Sequence, residues 1–592
     1  MRIIVDGGLF RFFSSDTTAR FTLGVVVCLS SAACAPQSTG SGNPLADREL
    51  VEASQIYLGS DQLAIVAQPT SQDSEGDAKP NDIQSDGTSD ATKVSQGSAP
   101  GSSPEEKPKP KPKPKPTPFN VEYILTKSKD ISVGLTSDAP SARVQNDTQR
   151  FVPASITKVI TTAVALKRLG DDFRFRTVIT FAQQGSVASG MVIFSDGDPT
   201  VEIDSYDAGA PHRMTEMASA VKAKGVTEVR GPMILLSSDR RLDHVRYAEG
   251  IPTIDMRECY GSLASSFNYQ WNCALTKIHS TSGFKWESPS IEDFLKGDLG
   301  TEPGAKNSLG IEVLLSGTRV LEGFRLKGTY IAKSPRALSW KLPIGNAAGW
   351  YADEFAKALR AKQVKVSDFS VQYPESSADR ATAAALMNSN TGNSLVFESA
   401  NLAALVEATN KPSDNFLADA LFKAVGIRSK SPGEDALSSG QNIIKETVAE
   451  WLHRESVPEF ANELRFLDGA GLSNGNAATP RAFLAVLRQL PKEKMFPAFW
   501  ESLPTAGEDG TLANRMNKTA ATGKVRGKTG TLSGAYQLVG YVPKKVGGQT
   551  EYIPFVILTS TNVRNREKVR KFQDALVVKI AESVERREFA KR

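Results

Sequence analysis

The sequence predicts a mixed α/β (α+β) fold in which both chain ends contribute to one core. Three observations carry this prediction. Apolar residues recur at helical spacing over 155–169, and strand-like runs dominate 190–385. Beyond these, helices give way to strands and then to a final helix. The resulting order is helix, insert, helices, strands, helix. At 592 residues the chain is long enough for more than one core.

The first residues read as an export signal over 1–34. Arg2, Arg11 and Arg20 precede the apolar run Phe21 to Leu29, which leads into Ser30-Ser31-Ala32-Ala33-Cys34. A run this short, ending in small residues, is too brief for a membrane span. Cys34 after Ala32-Ala33 resembles a bacterial lipoprotein cleavage site, which would place a lipid anchor to the outer membrane on Cys34. Ser31 stands where that pattern usually has leucine, so ordinary cleavage near Cys34 is the second reading. Either reading makes the chain exported and periplasmic.

Residues 35–118 are rich in Ser, Gly, Asp, Gln and Pro and close with five Lys-Pro dipeptides, Lys107 to Pro116. Such a stretch buries too little apolar surface to offset its ordering entropy, which makes it a disordered tether. As a flexible coil it would span roughly 50 Å, with the Lys-Pro run stiffer.

Folded sequence begins near Phe119. Ile131 to Leu135 reads as a strand, and Asp138 to Asp147 as a turn with the start of its partner. Ile156, Val159, Ile160, Ala163, Val164 and Leu166 then define a helix that Gly170 ends. Ser155 opens it, and Lys158 follows one turn later on the same face. Some 258 residues separate Ser155 from Ser413. Within them, Met233 to Leu236, Ile311 to Leu315, Phe324 to Ile331 and Leu338 to Leu342 predict a β-rich insert of one or two domains. Helices are expected at 402–408, 415–425 and 440–453, strands at 523–528, 536–542 and 552–558, and a last helix at 566–584. The expected partition is a discontinuous core of 119–189 and 386–592 around an insert of 190–385.

A net charge of +5 is small for this length, and five lysines sit in the Lys-Pro run, so no nucleic-acid surface is expected. Four dispersed histidines (His212, His244, His279, His453) lack metal-ligand spacing, and neither a metal nor a cofactor is implied. No Gly-x-Ser-x-Gly elbow or Walker-type loop surrounds a credible site. Cys259 and Cys273 either form a disulfide in an oxidising compartment or stay as buried thiols.

Three motifs carry chemistry, in a fixed order: Ser155-Ile156-Thr157-Lys158, Ser413-Asp414-Asn415 and Lys528-Thr529-Gly530-Thr531. A serine hydroxyl needs a neighbouring base, and Lys158 is that base once its pKa is lowered by burial or by a second cation, here Lys528. Ser413 is suited to relay a proton to a leaving amine, or simply to cap the helix that follows it. Asn415 is suited to bond Lys158 and substrate. Lys528 and Thr529 are suited to hold a carboxylate, while Gly530 lets substrate approach the strand edge. The backbone N–H groups of Ser155 and Thr531 would form the oxyanion hole. Ser-x-x-Lys also occurs at Ser219-Lys222 and Ser282-Lys285, and Ser-x-Asn at Ser266-Asn268, each read as coincidence.

The three motifs together form the signature set of penicillin-binding proteins and class A β-lactamases. Gly510-Thr511-Leu512, Arg515-Met516, Gly527-Lys528-Thr529-Gly530-Thr531-Leu532 and Leu538-Val539-Gly540-Tyr541-Val542 narrow the match. So do Pro153-Ala154-Ser155, Asp468-Gly469-Ala470-Gly471-Leu472-Ser473 and Gly197-Asp198-Pro199-Thr200. Over about 120–585 the chain resembles the D-alanyl-D-alanine carboxypeptidase/endopeptidase family, the class C low-molecular-mass penicillin-binding proteins. The resemblance implies a β-lactamase/transpeptidase-like domain with a central antiparallel sheet flanked by helices. It implies peptidoglycan stem peptides as substrate and β-lactam antibiotics as ligands. It also makes Ser155 nucleophile, Lys158 base, Ser413 relay, Asn415 a substrate-positioning group, and Lys528 with Thr529 a carboxylate holder. A β-lactamase and a non-catalytic wall-binding protein on the same fold are the competing readings.

Overall fold

The computed structural model describes residues 4–6, 9–11, 131–139, 144–203, 214–279, 285–287, 301–303, 310–331, 338–374, 393–562 and 566–590. The chain divides into two units, Met1–Lys111 and Pro112–Arg592. In the first, Ile4–Asp6 and Leu9–Arg11 pair antiparallel. The apolar run Phe21 to Leu29, Cys34 and the Lys-Pro tether lie outside the described residues. Among the described residues no helix is long and apolar enough to cross a membrane.

The core of the second unit is a four-stranded antiparallel sheet built from both ends of the unit. Its strands are β1 (Ile131–Ser137), β2 (Arg526–Leu532), β3 (Ala535–Val546) and β4 (Gln549–Thr561). They lie in the order β2-β3-β4-β1, which leaves β2 at an edge. Alternation along the long strands divides their side chains between two faces. Leu538, Val542, Phe555 and Ile557 pack with Phe572, Val577 and Ile580 of the last helix. Val539, Tyr541, Val556 and Leu558 join Phe483, Leu487 and Phe496 on the other face.

The helices that matter for the site are α1 (Thr157–Leu169), α2 (Leu402–Asn410), α3 (Asn415–Arg428), α4 (Ala436–Arg454), α5 (Pro480–Gln489) and α6 (Arg566–Ala590). A 3-10 turn, Ala154–Ile156, leads into α1, and Gly170 at φ 86 ends it. The helix is buried almost to its end, because it packs among α2, α3 and α4. Asp414, not Ser413, is the cap of α3: its carboxylate accepts from the Leu417 N–H at 2.8 Å.

The span expected as an insert contains more than strands. Its largest sheet has the order Val371–Gln372, Met233–Ser237, Met191–Ser195, Arg176–Thr180 and Ser394–Glu398. Arg176–Thr180 pairs with Ser394–Glu398, so the junctions expected at 189 and 386 both fall inside the span this sheet encloses. Helices Met214–Ala223 and Ala347–Ala361 contribute Met217, Val221, Trp350 and Phe355 to the core of the insert. Smaller sheets join Cys273–His279 to Leu338–Pro343 and Gly310–Leu315 to Leu321–Tyr330. Cys259 and Cys273 form a disulfide, with Cα atoms 5.5 Å apart.

Helices α3 and α4 approach each other through glycines. A Cβ on Gly426 would collide with the Gly440 backbone, and one on Gly440 would stand 2.5 Å from the Phe422 carbonyl oxygen. Gly440→Ala would gain about 1 kcal/mol of helix propensity. Overpacking against a backbone atom typically costs ~1–3 kcal/mol, so the balance favours loss. A lower urea midpoint is the expected outcome; a raised one would mean that the helices do not meet at these glycines.

Candidate active site

The three motifs converge where α1, α3 and the edge strand β2 meet. Ser155 lies in the turn before α1, and its neighbour Ala154 has φ 50, an unfavourable backbone for a residue with a Cβ. Two contacts hold the turn. The Gln537 amide donates to the Val152 carbonyl at 2.6 Å. Gly471, at φ 86, packs so closely on the Ala154 carbonyl that any Cβ there would overlap it.

Lys158 is fully buried, and its Nζ meets three oxygens. It lies 3.1 Å from Ser155 Oγ, 2.6 Å from Asn415 Oδ1 and 2.7 Å from the Ala470 carbonyl. Burial pulls the ammonium down from its ordinary value to about 7, against Asp468 and Asp414, whose carboxylates pull it up. Lys528 is buried too, and burial together with the Lys158 charge holds it well below the usual lysine range. Of the two causes the sequence offers, burial or a second cation, burial is the one that lowers Lys158.

A second chain of contacts runs beside the first. Lys528 Nζ donates to Ser413 Oγ at 2.7 Å and to the Thr529 carbonyl at 3.2 Å. Thr529 Oγ1 bonds Thr511 Oγ1 at 2.9 Å. Ser413 sits at φ 70, in the left-handed region, one residue ahead of the helix cap. Lys528-Thr529-Gly530-Thr531 lies within β2, later than the strand expected at 523–528, and Thr531 pairs with Tyr536. A Cβ on Gly530 would stand 2.8 Å from the Pro153 carbonyl oxygen and 3.2 Å from the Ile156 nitrogen, so β2 lies directly on the serine turn.

Several participants carry no role that sequence reasoning assigns. Asp468 Oδ1 accepts from the N–H groups of Ala470, Gly471 and Leu472 at 2.9, 2.5 and 3.0 Å. Its Oδ2 accepts from Ser473 N at 2.9 Å and Asn476 Nδ2 at 2.8 Å. That carboxylate folds the glycine-rich turn so that Ala470 turns its carbonyl toward Lys158. The Asp-Gly-Ala-Gly pattern is the available signal. From the insert, the Tyr260 carbonyl accepts from Asn415 Nδ2 at 2.8 Å, and the Trp271 indole donates to Asp414 at 3.0 Å. Nothing in the local sequence announces these contacts.

The coincidental motifs stand apart from this site. Ser219 bonds the Thr215 carbonyl at 2.7 Å, and Lys222 bonds that of Lys362 at 2.6 Å, on the helix surface. Asn268 is buried among the carbonyls of Gly197, Asp198 and Ser265. Ser282 lies outside the described residues.

Known proteins resemble the chain over these same elements. A D-alanyl-D-alanine carboxypeptidase of an Actinomadura species is 27% identical over 462 residues, covering 73% of this chain and 77% of that protein. A second D-alanyl-D-alanine carboxypeptidase, from Haemophilus influenzae, is 23% identical over 429 residues, covering 69% and 81%. The crystal structure of penicillin-binding protein 4 from Haemophilus influenzae shares the fold. Its TM-score is 0.60 at 20% identity, over 78% of this chain and 99% of that one. The sequence model of the D-Ala-D-Ala carboxypeptidase 3 (S13) family matches residues 131–583, which takes in all three motifs, and the chain belongs to this family of serine peptidases.

Proposed function

We propose that this chain cleaves D-alanyl-D-alanine termini and D-alanyl cross-links of peptidoglycan stem peptides through an ester on Ser155. The observation that carries the reading is a buried lysine amine 3.1 Å from a serine hydroxyl. Neutral Lys158 takes the Oγ proton as the oxygen attacks the scissile carbonyl carbon. The backbone N–H groups of Ser155 and Thr531 receive the developing oxyanion. Ser413 relays the proton that Lys158 took to the departing amine, the C–N bond breaks, and Lys158 is neutral again. Water then attacks the ester carbon as Lys158 takes its proton, the bond from that carbon to Ser155 Oγ breaks, and Lys158 returns the proton to Oγ. Asn415 aligns the substrate backbone. Lys528 and Thr529 hold a substrate carboxylate, whose charge favours the ammonium form of Lys528. Gly530 lets the edge strand β2 lie directly against the serine turn, which keeps substrate on that edge next to Ser155.

β-Lactams are ligands of the same site on this reading; penicillin-binding protein 4 from Haemophilus influenzae has been crystallised in complex with a β-lactam. Rapid hydrolysis of the drug is disfavoured, because the carboxylates beside Lys158 are already committed. Asp468 is taken up by backbone N–H groups, and Asp414 by the α3 cap and the Trp271 indole. The export signal supports action in the periplasm. Cys34 is the candidate lipid anchor, and 35–118 the tether that gives reach from the membrane. Strand pairing supports an insert bounded by Arg176–Thr180 and Ser394–Glu398, with the remainder of 119–592 as the catalytic core.

The test is the intact mass of the full chain during exposure to penicillin, followed by assay on cross-linked muropeptides. A persistent adduct on Ser155 is expected, and drug hydrolysed without an adduct would favour a β-lactamase. Ser155→Ala should remove the adduct and lower turnover at least about 1,000-fold while the melting transition is kept. Retained turnover would mean another nucleophile.

Acylation should follow the neutral fraction of Lys158, which grows as pH rises through about 7. The rate constant should climb about tenfold per unit on the acid side and level off above. Asp468→Asn removes a charge that raises the Lys158 pKa, so the midpoint should move to lower pH. A midpoint that stays or rises would mean that Lys158 is not the titrating base.

A further inference from the structure

The middle motif is held from outside the catalytic core. The disulfide between Cys259 and Cys273 closes a loop with a sequence separation of 14. That loop lies along α3 and touches it at successive turns. Asn415 Nδ2 donates to the Tyr260 carbonyl at 2.8 Å. The Ala264 N–H donates to Asp419 at 2.9 Å, and its carbonyl accepts from Lys423 at 2.7 Å. Residues 415, 419 and 423 recur at the four-residue spacing of one helix face. At the helix start, the Trp271 indole N–H donates to Asp414 at 3.0 Å. Tyr260 adjoins one bridging cysteine, and Trp271 lies two residues from the other.

The loop backbone is bent to make these contacts. Gln270, Trp271 and Asn272 follow one another at φ 46, 55 and 49, a conformation that residues with a Cβ avoid. Surrounding bonds fix it. Asn272 donates to the Leu263 carbonyl at 3.0 Å and to Asn268 at 2.8 Å, and accepts from the Tyr269 N–H at 3.0 Å. The bend directs the indole at Asp414, while the ring packs beside Phe416 and Leu417. Such local strain is kept where the surroundings over-determine it.

The consequence falls on Asn415. Its amide has an oxygen end, 2.6 Å from Lys158, and a nitrogen end on the Tyr260 carbonyl. An amide is nearly symmetric in shape, and hydrogen-bond partners decide which end points where. Lys158, donating to Oδ1, favours this orientation from one end of the amide, and the loop carbonyl is the anchor that holds the NH2 end away from it. An NH2 turned toward Lys158 offers no acceptor to the ammonium that forms when Ser155 loses its proton.

We infer that the disulfide-closed loop 259–273 sets the orientation of the second motif, with Trp271 as a positioning residue acting through Asp414. Opening the disulfide lowers the rate of Ser155 acylation while the folded core persists. The inference rests on the acyl-enzyme reading above.

The experiment measures penicillin acylation by the full chain, separating non-covalent affinity from the acylation rate constant. Oxidised wild type is compared with the same folded protein after phosphine reduction, with Cys259→Ser/Cys273→Ser, with Trp271→Phe and with the triple variant. Thermal melting gives the folded fraction of each. Phenylalanine keeps an aromatic ring and loses the indole N–H donor together with part of the packed volume. Reduction, the cysteine pair and Trp271→Phe should each lower the acylation rate constant about tenfold, with affinity changed far less. The triple variant should lose less than the product of the separate losses, because loop and indole act as one unit. A full acylation rate in reduced protein, or losses that vanish once corrected for folded fraction, overturns the inference alone. A loss confined to affinity, or losses that multiply independently, also overturns it. If oxidised wild type forms no adduct at Ser155, the acyl-enzyme reading fails and takes this inference with it.

Discussion

The arrangement around Ser155 depends on one amine kept away from water. A lysine side chain in solvent is an ammonium and cannot accept a proton. Lys158 escapes that state because α1 carries it into the packed region among α2, α3 and α4, where a charge is poorly solvated. Burial alone would leave its N–H groups unsatisfied. The Asn415 amide and the Ala470 carbonyl prevent that, and the remaining direction faces Ser155. The nearby carboxylates work against burial, so the amine is held close to neutrality instead of being driven far below it.

Holding that amine requires unusual backbone on both sides of it. Ala154 and Ser413 each adopt positive φ, at about 1–2 kcal/mol apiece for residues with a Cβ. Neither bend is free to relax. Gly471 and Gln537 grip the first, and the cap at Asp414 fixes the chain directly after the second. Strain of this kind is kept where the surrounding contacts leave no alternative, which here is the meeting point of α1, α3 and β2.

Much of this was legible in the sequence, for a physical reason. Helix α1 has an apolar periodicity that solvent-facing residues cannot imitate, and the lysine-threonine-glycine motif stands among strand formers. The three motifs are short and local, so their order could be read directly. The missing parts depend on neighbours far away in the chain. The pairing of Arg176–Thr180 with Ser394–Glu398 has no local signature, and the expected junctions at 189 and 386 therefore take no account of it. Helix Ala347–Ala361 places Trp350, Tyr351, Phe355 and Leu359 at helical spacing, but it sits among strand-like runs that masked it. Serine and aspartate are both good caps, and only the backbone decides that Asp414 takes the role. Trp271 and Tyr260 reach the site through a disulfide and a bent loop, and neither is encoded near the motif they touch.

The central sheet pairs β4, near the end of the unit, with β1, near its beginning, along their length. β3, which carries the lysine-bearing edge strand, also pairs with β4. Synthesis delivers Ser155 hundreds of residues before these last strands. A growing chain can therefore hold Ser155 for a long interval with no sheet to seat it and no edge strand to face it. Contacts this distant in sequence close late and slowly. The pairing thus ties assembly of the site to the last strands of the unit.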